Sequence, residues 1–507
     1  MKKYDKGYIY SALLSDLFSS FLIMFVFLGD ILFSDDGGLK NIIYVLPVLI
    51  AVYIVIYACF IAYRIMYYKT SGYELTETEI KCKKGVFFRK QSELEYRKIH
   101  AINKKQSIFN RIFGIAVLTV DSGSTNTSHQ AEITIIEKST TVDYLIEELN
   151  SLKENGTRNP EEVSIEESVL LSENDSLYNF TSKKKLLYTL VNIVSSVFYV
   201  AVIGVLAVIV IGVCKLMFQL DSLGTWGEYI VFSLLITAGV MLTVSFFSFI
   251  GCIINSFVKY HKFTIIGRGN NIEISYGLLE KHTNTFSYDR IKAVKVSQGI
   301  VQRLLGFAAI NLEVIGYTCD GENDNNVVGV LVPFCKYDEV GEILKRVLPD
   351  FIPEKKQTSA VSYFPFVSWF FLIFGTVTGV TLLLSVLVMH ILGVSGATVA
   401  TVSVFALLAA AIVIGIKAIS AFLAYKNNGI ALKDGKITVF SGGFTRQITV
   451  FTLNDIIAVE DVTTPLRKKA GITSLVLHIK TNAMTNEVKV HIQNEELSEK
   501  LGNVLRV

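Results

Sequence analysis

Six long apolar segments, arranged in three pairs, constrain the fold of this chain more than any other feature of its sequence. Each segment approaches or exceeds the roughly 20 apolar residues that a helix needs to cross a bilayer. The connection within each pair is short, so each pair is predicted to be a helical hairpin that returns to its starting side. The six predicted spans are Tyr8–Phe33, Asn41–Tyr63, Leu186–Met217, Tyr229–Val258, Phe364–Leu392 and Ala397–Tyr425.

Each hairpin is followed by a soluble segment in which short strands alternate with glycine turns and the last element is an amphipathic helix. Apolar residues share one helical face at the end of all three segments. They are Val142, Leu145, Ile146, Leu149 and Leu152, then Val340, Ile343, Leu344 and Val347, then Leu497, Leu501, Val504 and Leu505. The predicted organisation is transmembrane hairpins at 8–68, 184–258 and 351–425 and soluble domains at 69–155, 259–350 and 426–507. We call these domains copies 1, 2 and 3.

Residues 156–183 differ from the rest of the chain. The stretch Arg158–Leu177 holds six acidic residues, one basic residue and few aromatics. Such a composition buries too little apolar surface to fold alone. An acidic flexible linker is therefore predicted at 156–183.

The basic residues flanking the spans predict the orientation in the membrane. They accumulate beside both termini and all three soluble domains, whereas Lys40 is the one basic residue in the three short loops on the other side. Both termini and all copies are therefore predicted to be cytoplasmic. Overall, charged residues make up 18% of the chain and the net charge is +3, which gives no reason to expect a nucleic-acid-binding protein.

The three soluble domains share a register that is visible at single residues. A glycine follows the second strand, an isoleucine follows at a constant spacing, and a glutamine, an arginine and a second glycine come next. The matched positions are Gly85, Gly277 and Gly443, then Ile99, Ile291 and Ile457, then Gln106, Gln298 and Thr464, then Arg111 and Arg303, then Gly114 and Gly306. With Gly443 as reference, copy 3 lacks one residue, and Lys468 and Gly471 take the last two places.

This order of strands, glycine, Arg-x-Ile or Arg-Ile, and Gln-x4-Arg-x2-Gly behind a two-span hairpin resembles the bacterial PH-like (bPH2, DUF304) family of membrane proteins. Chains with three tandem copies resemble its YdbT-like group. The resemblance implies that each copy is a bent seven-stranded antiparallel β sandwich or barrel closed by a C-terminal helix. It also implies a smaller membrane protein with one copy of the same unit as partner, and a role in envelope or antimicrobial stress resistance.

Copy 1 carries the densest set of basic residues in the chain. A cluster of this kind beside a membrane attracts anionic lipid, by about 1 kcal/mol per basic residue near the surface. The alternative is an ordinary solvated face. The candidate lipid- or partner-binding residues are Lys81, Lys83, Lys84, Arg89, Lys90, Arg97, Lys104, Lys105 and Arg111.

Two charged residues fall inside the predicted spans, Asp16 in the first and Lys417 in the sixth, each about eight residues from the predicted cytoplasmic end. Charges within a membrane are rare and usually paired, so an Asp16–Lys417 pair between the first and last repeats is one hypothesis. In the alternative, each side chain reaches the interface or contacts backbone.

The sequence favours a non-enzymatic membrane scaffold that presents three domains to protein or anionic lipid. The seven histidines and six cysteines show no spacing typical of a metal site, and no phosphate-binding loop or nucleophile elbow occurs. No enzymatic activity, cofactor or metal is therefore expected. The alternative is a component of a six-span transporter or channel.

Overall fold

The computed structural model describes 11 stretches of the chain. They are residues 1–32, 38–99, 101–121, 133–157, 176–195, 256–268, 270–314, 329–359, 414–462, 472–479 and 486–494, with isolated residues between 246 and 254 and between 375 and 383. The chain divides into two compact units, which we describe separately. The first holds Met1–Asn179, Val258–Ile291 and Val314–Val327, and the second holds Phe180–Phe257, Lys292–Glu313 and Val328–Val507.

The elements of copy 1 and of the hairpin before it are β1 (Lys2–Lys3), α1 (Gly7–Leu32), α2 (Gly38–Thr70), β2 (Gly72–Leu75), β3 (Glu79–Lys84), β4 (Lys90–Glu95), β5 (Ala101–Gln106), α3 (Ile108–Ile112), β6 (Ile115–Asp121), β7 (Ile133–Lys138) and α4 (Ser139–Thr157). Those of copy 2 are β8 (Ser176–Asn179), β9 (Thr264–Arg268), β10 (Asn271–Tyr276), β11 (Lys281–Ser287), β12 (Ile291–Gln298), α5 (Ile300–Leu304), β13 (Phe307–Val314), β14 (Gly329–Lys336) and α6 (Val340–Val347). Those of copy 3 are β15 (Thr358–Ser359), β16 (Gly429–Lys433), β17 (Lys436–Ser441), β18 (Arg446–Thr452), β19 (Ile456–Val462), β20 (Ile472–Ile479) and β21 (Asn486–Asn494).

The first hairpin consists of α1 and α2. Within α2, Ile50–Thr70 is apolar and long enough to cross a membrane, and it is the one such helix in the described part of the chain. Residues 182–195 and 414–427 are helical as well. The rest of the predicted spans at Leu186–Met217, Tyr229–Val258, Phe364–Leu392 and Ala397–Tyr425 lies almost entirely outside the described residues.

Each copy takes its first strand from the chain segment that precedes its own predicted spans. Strand β1 pairs antiparallel with β2, β8 with β9, and β15 with β16. The last of these, at Thr358–Ser359, corrects the predicted start of the third hairpin at 351. In the first unit, Tyr4 follows β1 and is 2% exposed, with its hydroxyl donating to the Thr134 carbonyl at 2.8 Å. In copy 1 the chain therefore starts a domain, passes through α1 and α2 and returns to complete the same sheet.

Strand β8 corrects the prediction of a flexible linker at 156–183. Its residues Ser176–Asn179 pair with β9 and form the edge of a sheet. At the other end, α4 continues to Thr157. Acidic composition did not reveal a short strand whose partner lies beyond the second predicted hairpin. Residues 158–175 are outside the described part.

The sheets run from one copy into the next. In the first unit, one seven-stranded sheet has the order β7-β6-β5-β11-β10-β9-β8, and a four-stranded sheet has the order β1-β2-β3-β4. In the second unit, a seven-stranded sheet has the order β14-β13-β12-β18-β17-β16-β15, and a three-stranded sheet has the order β19-β20-β21. Strands β5 and β11 thus join copy 1 to copy 2, and β12 and β18 join copy 2 to copy 3. Both junctions are antiparallel.

Each unit has an apolar core that follows the alternation of its strands. In the first unit, Ile80, Leu118 and Ile135 are fully buried together with Leu149 of α4. In the second, Ile437, Phe451 and Leu477 are fully buried together. The helical faces predicted from the sequence are confirmed in copies 1 and 2, where Val142, Leu145 and Leu149 and then Val340, Ile343, Leu344 and Val347 are buried. The predicted helix of copy 3 lies outside the described residues.

The structure shifts the predicted register of copy 3 by one residue. The turn glycine of copy 3 is Gly442, with φ of 113°, against 113° at Gly85 and 112° at Gly277. Its isoleucine is accordingly Ile456, which ends a single 3₁₀ turn as Ile99 and Ile291 do. The predicted Gly443 and Ile457 are therefore wrong.

With Gly442 as reference, no residue is missing from copy 3. Lys468 and Gly471 then lie at the same distance from the turn glycine as the arginine and glycine of copies 1 and 2, and Thr463 replaces Thr464 at the glutamine position. These three residues lie outside the described part.

Candidate binding surfaces of the repeated domain

The glutamine and second glycine of the repeat shape the connection between two strands. Gln106 donates from Nε2 to the Ile115 carbonyl at 3.0 Å, and Gln298 donates in the same way to the Phe307 carbonyl at 2.8 Å. Both amides are buried. Gly114 and Gly306 have φ of 65° and 75°, the left-handed region that favours glycine. The glutamine and the second glycine of the repeat therefore fix the chain between two strands of their own copy. Candidate binding residues lie elsewhere in the copy.

The arginine of the repeat reaches the turn of the following copy. Arg111 donates from Nη1 to the carbonyl of Leu278, the residue after Gly277. Arg303 donates from Nη1 to the carbonyl of Gly443, the residue after Gly442, at 2.9 Å. The same contact is thus made at both junctions, from the helix after β5 or β12 to the turn before β11 or β18.

Removing the side chain of Arg303 should loosen the turn of copy 3. Arg303 also donates from Nη2 to Asn427 Oδ1 at 2.9 Å, so two charged hydrogen bonds are lost in Arg303→Ala. Each hydrogen bond to a charged group contributes roughly 1.5 kcal/mol or more, so with both lost we expect at least about tenfold faster hydrogen exchange at residues 442–447 of the full-length protein. Arg346→Ala, an exposed arginine on α6, is the charge-matched control and should leave that exchange unchanged. Equal effects of both variants would contradict the role of Arg303.

The structure separates the nine predicted basic residues into distinct environments. Four are bound to groups within the first unit. Lys81 pairs with Glu79 at 2.8 Å, Lys104 with Asp143 at 2.6 Å, Lys105 with Glu280 at 3.0 Å, and Arg111 holds the Leu278 carbonyl. Hydrogen bonds from His282 and Lys105 lower the pKa of Glu280 to about 2, so this junction carboxylate is ionised at neutral pH.

The remaining five basic residues lie at the two ends of β4. Lys83, Lys84, Arg89 and Lys90 flank the turn at the start of this strand, whereas Arg97 lies in the 3₁₀ turn after its end. A six-residue strand spans about 20 Å, so Arg97 does not share the surface of the other four.

The turn between β3 and β4 carries two exposed phenylalanines beside its basic residues. Phe87 is 81% exposed and Phe88 is 94% exposed, while Val86 is buried beneath them. Thr70, the last residue of α2, donates from Oγ1 to the Gly85 carbonyl at 2.8 Å. The turn is therefore held against the end of the helix that is apolar enough to cross a membrane. We call residues 83–90 the aromatic-basic tip. The sequence alone identified the basic residues of this tip but not Phe87 and Phe88.

The structure assigns Asp16 a partner other than Lys417. The carboxylate of Asp16 accepts two hydrogen bonds from Arg64, one from Nε and one from Nη2, each 2.8 Å long. Arg64 also donates to the Tyr8 hydroxyl at 3.1 Å. The pair joins α1 to α2 within one hairpin, so Asp16 has a partner in Arg64, and the Asp16–Lys417 pair stays a prediction.

Comparison with known proteins gives one family. The model of the bacterial PH domain matches the chain in three tandem regions, residues 23–152, 197–350 and 370–506. The UPF0699 transmembrane protein YdbT of Bacillus subtilis strain 168 is 22% identical over 312 residues, an alignment that covers 59% of this chain and 61% of that relative. The chain thus spans less than two thirds of the relative's length. No solved structure matches the chain.

Proposed function

This chain belongs to the bacterial PH domain family, and from that premise we propose that it is a multi-pass membrane scaffold whose three PH-like domains bind anionic lipid and protein at the cytoplasmic face. Its similarity to a transmembrane protein supports the membrane location. The proposal includes six spans in three hairpins, cytoplasmic termini, and a smaller membrane protein with one copy of the same unit as partner. Envelope or antimicrobial stress resistance is the cellular role that fits such a scaffold.

One observation carries the lipid-binding part of the proposal, the aromatic-basic tip at the end of α2. Exposed phenylalanines cost free energy in water and gain it in the interfacial region of a bilayer, while flanking lysines and arginines attract anionic headgroups. Arg89 and Lys90 are exposed, and each basic residue near the surface contributes about 1 kcal/mol. Arg97 lies at the far end of β4 and has no part in this surface.

The Asp16–Arg64 pair bears on the transport alternative. A charged residue within a predicted span is by default a candidate for an ion pathway. Here the Asp16 carboxylate accepts two hydrogen bonds from Arg64 of the same hairpin. Asp16 therefore serves the packing of the hairpin, and the scaffold remains the function that the contacts support best.

Fluorescence quenching in nanodiscs tests the lipid contact with the full-length protein. The chain has two tryptophans, so Trp226→Phe and Trp369→Phe leave Phe88→Trp as the single probe. We expect brominated lipids to quench this probe, and more strongly when the nanodisc contains anionic phosphatidylglycerol than when it is zwitterionic. No quenching in either lipid would refute membrane contact by the tip.

A charge-matched pair of variants tests the basic residues of the tip. Arg89→Glu with Lys90→Glu should abolish the dependence of quenching on anionic lipid, because each reversal replaces attraction by repulsion. Arg97→Glu with Lys98→Glu makes the same change of net charge at the other end of β4 and should leave the dependence intact. If both double variants behave alike, the effect is one of net charge and the tip has no special role.

A further inference from the structure

The order of strands leaves β4 and β19 at sheet edges in the described part of the chain. At each junction, the strand that follows the 3₁₀ turn of one copy (β5 or β12) pairs with the strand that precedes the 3₁₀ turn of the next copy (β11 or β18). Strand β4 of copy 1 is the counterpart of β11 and β18, and β19 of copy 3 is the counterpart of β5 and β12. Among the described residues, neither β4 nor β19 has a partner strand from another copy.

The two junctions have one register, which is set by the turn glycines. Ala101 lies opposite Phe286 in the first junction, and Ala293 lies opposite Phe451 in the second. Each alanine has the same spacing from its own copy's turn glycine, and each phenylalanine has the same spacing from the next copy's. All four residues are at most 1% exposed. A small residue facing a large one is thus the buried centre of each junction.

The edge strands also carry a small residue and a large apolar residue at these two positions. At the alanine spacing, counted from Gly442, copy 3 has Ala458, and at the phenylalanine spacing, counted from Gly85, copy 1 has Leu94. Ala458 is exposed, in contrast to Ala101 and Ala293. The third copy thus presents, uncovered, the residue that is buried at both internal junctions.

The edge strands are more exposed than the strands that form the junctions. Of the six residues of β4, only Leu94 is buried, whereas three of the seven in β11 and four of the seven in β18 are buried. On β19, Ile457 is 61% exposed and Val462 is 41% exposed. Exposed edge strands are templates for pairing with another chain.

One pair of opposite charges is brought together in the register of the junctions. Glu460 of β19 is 62% exposed and takes the place opposite Ser92, diagonal to Lys90. Copies 1 and 2 carry Asn103 and Lys295 at the position of Glu460. Opposite charges on neighbouring strands stabilise pairing, so Glu460 and Lys90 favour this register.

We propose that β19 of one chain pairs antiparallel with β4 of a second copy of this chain, in the register that places Ala458 opposite Leu94. The contact repeats the junction that already joins copy 1 to copy 2 and copy 2 to copy 3. Its two surfaces differ, so association is head to tail and yields rings or linear arrays of chains.

Disulfide cross-linking between two differently tagged full-length chains tests the register. One chain carries Ser92→Cys and the other Glu460→Cys, positions that the proposed pairing places directly opposite, with Cβ atoms about 4.5–5.5 Å apart. Both chains also carry Cys82→Ala, because Cys82 lies opposite Ser92 on β3 and would compete for the new cysteine. After co-expression and mild oxidation of the membranes, we expect a disulfide-linked heterodimer. Each cysteine variant expressed alone measures the background from the remaining native cysteines. Ser92→Cys with Ile457→Cys, three residues out of register, should give that background only.

A blocking variant separates edge pairing from chance contact. Ala458→Arg adds a large charged side chain at the centre of the proposed junction and should reduce the cross-link between positions 92 and 460 to background. Ala458 is exposed within one chain, so the substitution leaves the fold of that chain intact. Ile457→Arg is the control, since Lys292 occupies the equivalent position of copy 2, and it should leave the yield unchanged.

Three results would overturn the proposal. They are a cross-link yield at background for positions 92 and 460, an equal yield for positions 92 and 457, and capture of a different protein at position 92 in place of a second copy. The test uses neither lipid dependence nor the tip residues, so its failure leaves the proposed lipid contact standing, and failure of the quenching experiment leaves this pairing standing.

Discussion

Arg64→Ala is expected to destabilise the first hairpin by about 1–3 kcal/mol, the cost of leaving a partly buried carboxylate without its hydrogen-bond donors. The substitution removes both hydrogen bonds to the Asp16 carboxylate and the one to the Tyr8 hydroxyl. Asp16 is 15% exposed, and water can replace little of what is lost. Hydrogen exchange over α1 and α2 of the full-length protein in mild detergent measures the effect.

Charge exchange distinguishes the observed pair from the one that the sequence predicted. Asp16→Arg with Arg64→Asp keeps an ion pair between α1 and α2 and should recover most of the stability lost in either single variant. Asp16→Lys with Lys417→Asp is the matched control and should recover none. Rescue by the second combination alone would show that Lys417 is the partner of Asp16 after all.

The Arg64 partner of Asp16 shows what depth along a helix can and cannot indicate. Asp16 and Lys417 were matched because both lie at a similar depth inside their predicted spans. Arg64 was counted among the flanking charges of the second span, since the apolar run ends at Tyr63. In the structure α2 continues to Thr70, so Arg64 lies within the helix and faces Asp16. The boundary of an apolar run is thus not the boundary of the helix.

The repeat was predictable because its spacing is regular. The error of one residue in the predicted register of copy 3 has a local cause. Gly442 and Gly443 are adjacent, and either could be the turn glycine by sequence. The backbone decides between them, since only Gly442 has positive φ. The other glycine has a separate constraint, because a Cβ at Gly443 would lie 2.7 Å from Ser420 Oγ. Spacing identifies a repeat, whereas conformation fixes its register.

The period of apolar residues in the sequence could not predict which strands of different copies pair. Alternation predicts that a strand is half buried, but not which strand of another copy covers it. For the same reason, the nine basic residues looked alike in the sequence. Lys104 and Lys105 are bound by Asp143 of α4 and by Glu280 of the next copy, partners that are distant in the sequence. The sequence therefore predicted the domains and their number, while the site needed the tertiary contacts.

The turn glycine of copy 2 should be the residue least able to accept a side chain. At Gly277, a Cβ would lie 1.8 Å from the backbone carbonyl oxygen of Glu280, and φ is 112°. Backbone atoms cannot rotate away as a side chain can, so Gly277→Ala must deform the turn between β10 and β11. Strain of this kind costs roughly 1–3 kcal/mol for the conformation, with the steric overlap in addition.

The consequences of Gly277→Ala should extend beyond its own turn. Leu278, the next residue, accepts the hydrogen bond from Arg111, and Glu280 pairs with Lys105, so the deformed turn carries both polar contacts of the first junction. We expect hydrogen exchange to accelerate in β10 and β11 and also in β5, which pairs with β11. Gly341→Ala is the matched control, because that glycine lies in α6 with no atom within 4 Å of an added Cβ, and alanine there should stabilise the helix by about 0.5–1 kcal/mol. Faster exchange confined to residues 276–281 would show that the junction between copies does not depend on the turn.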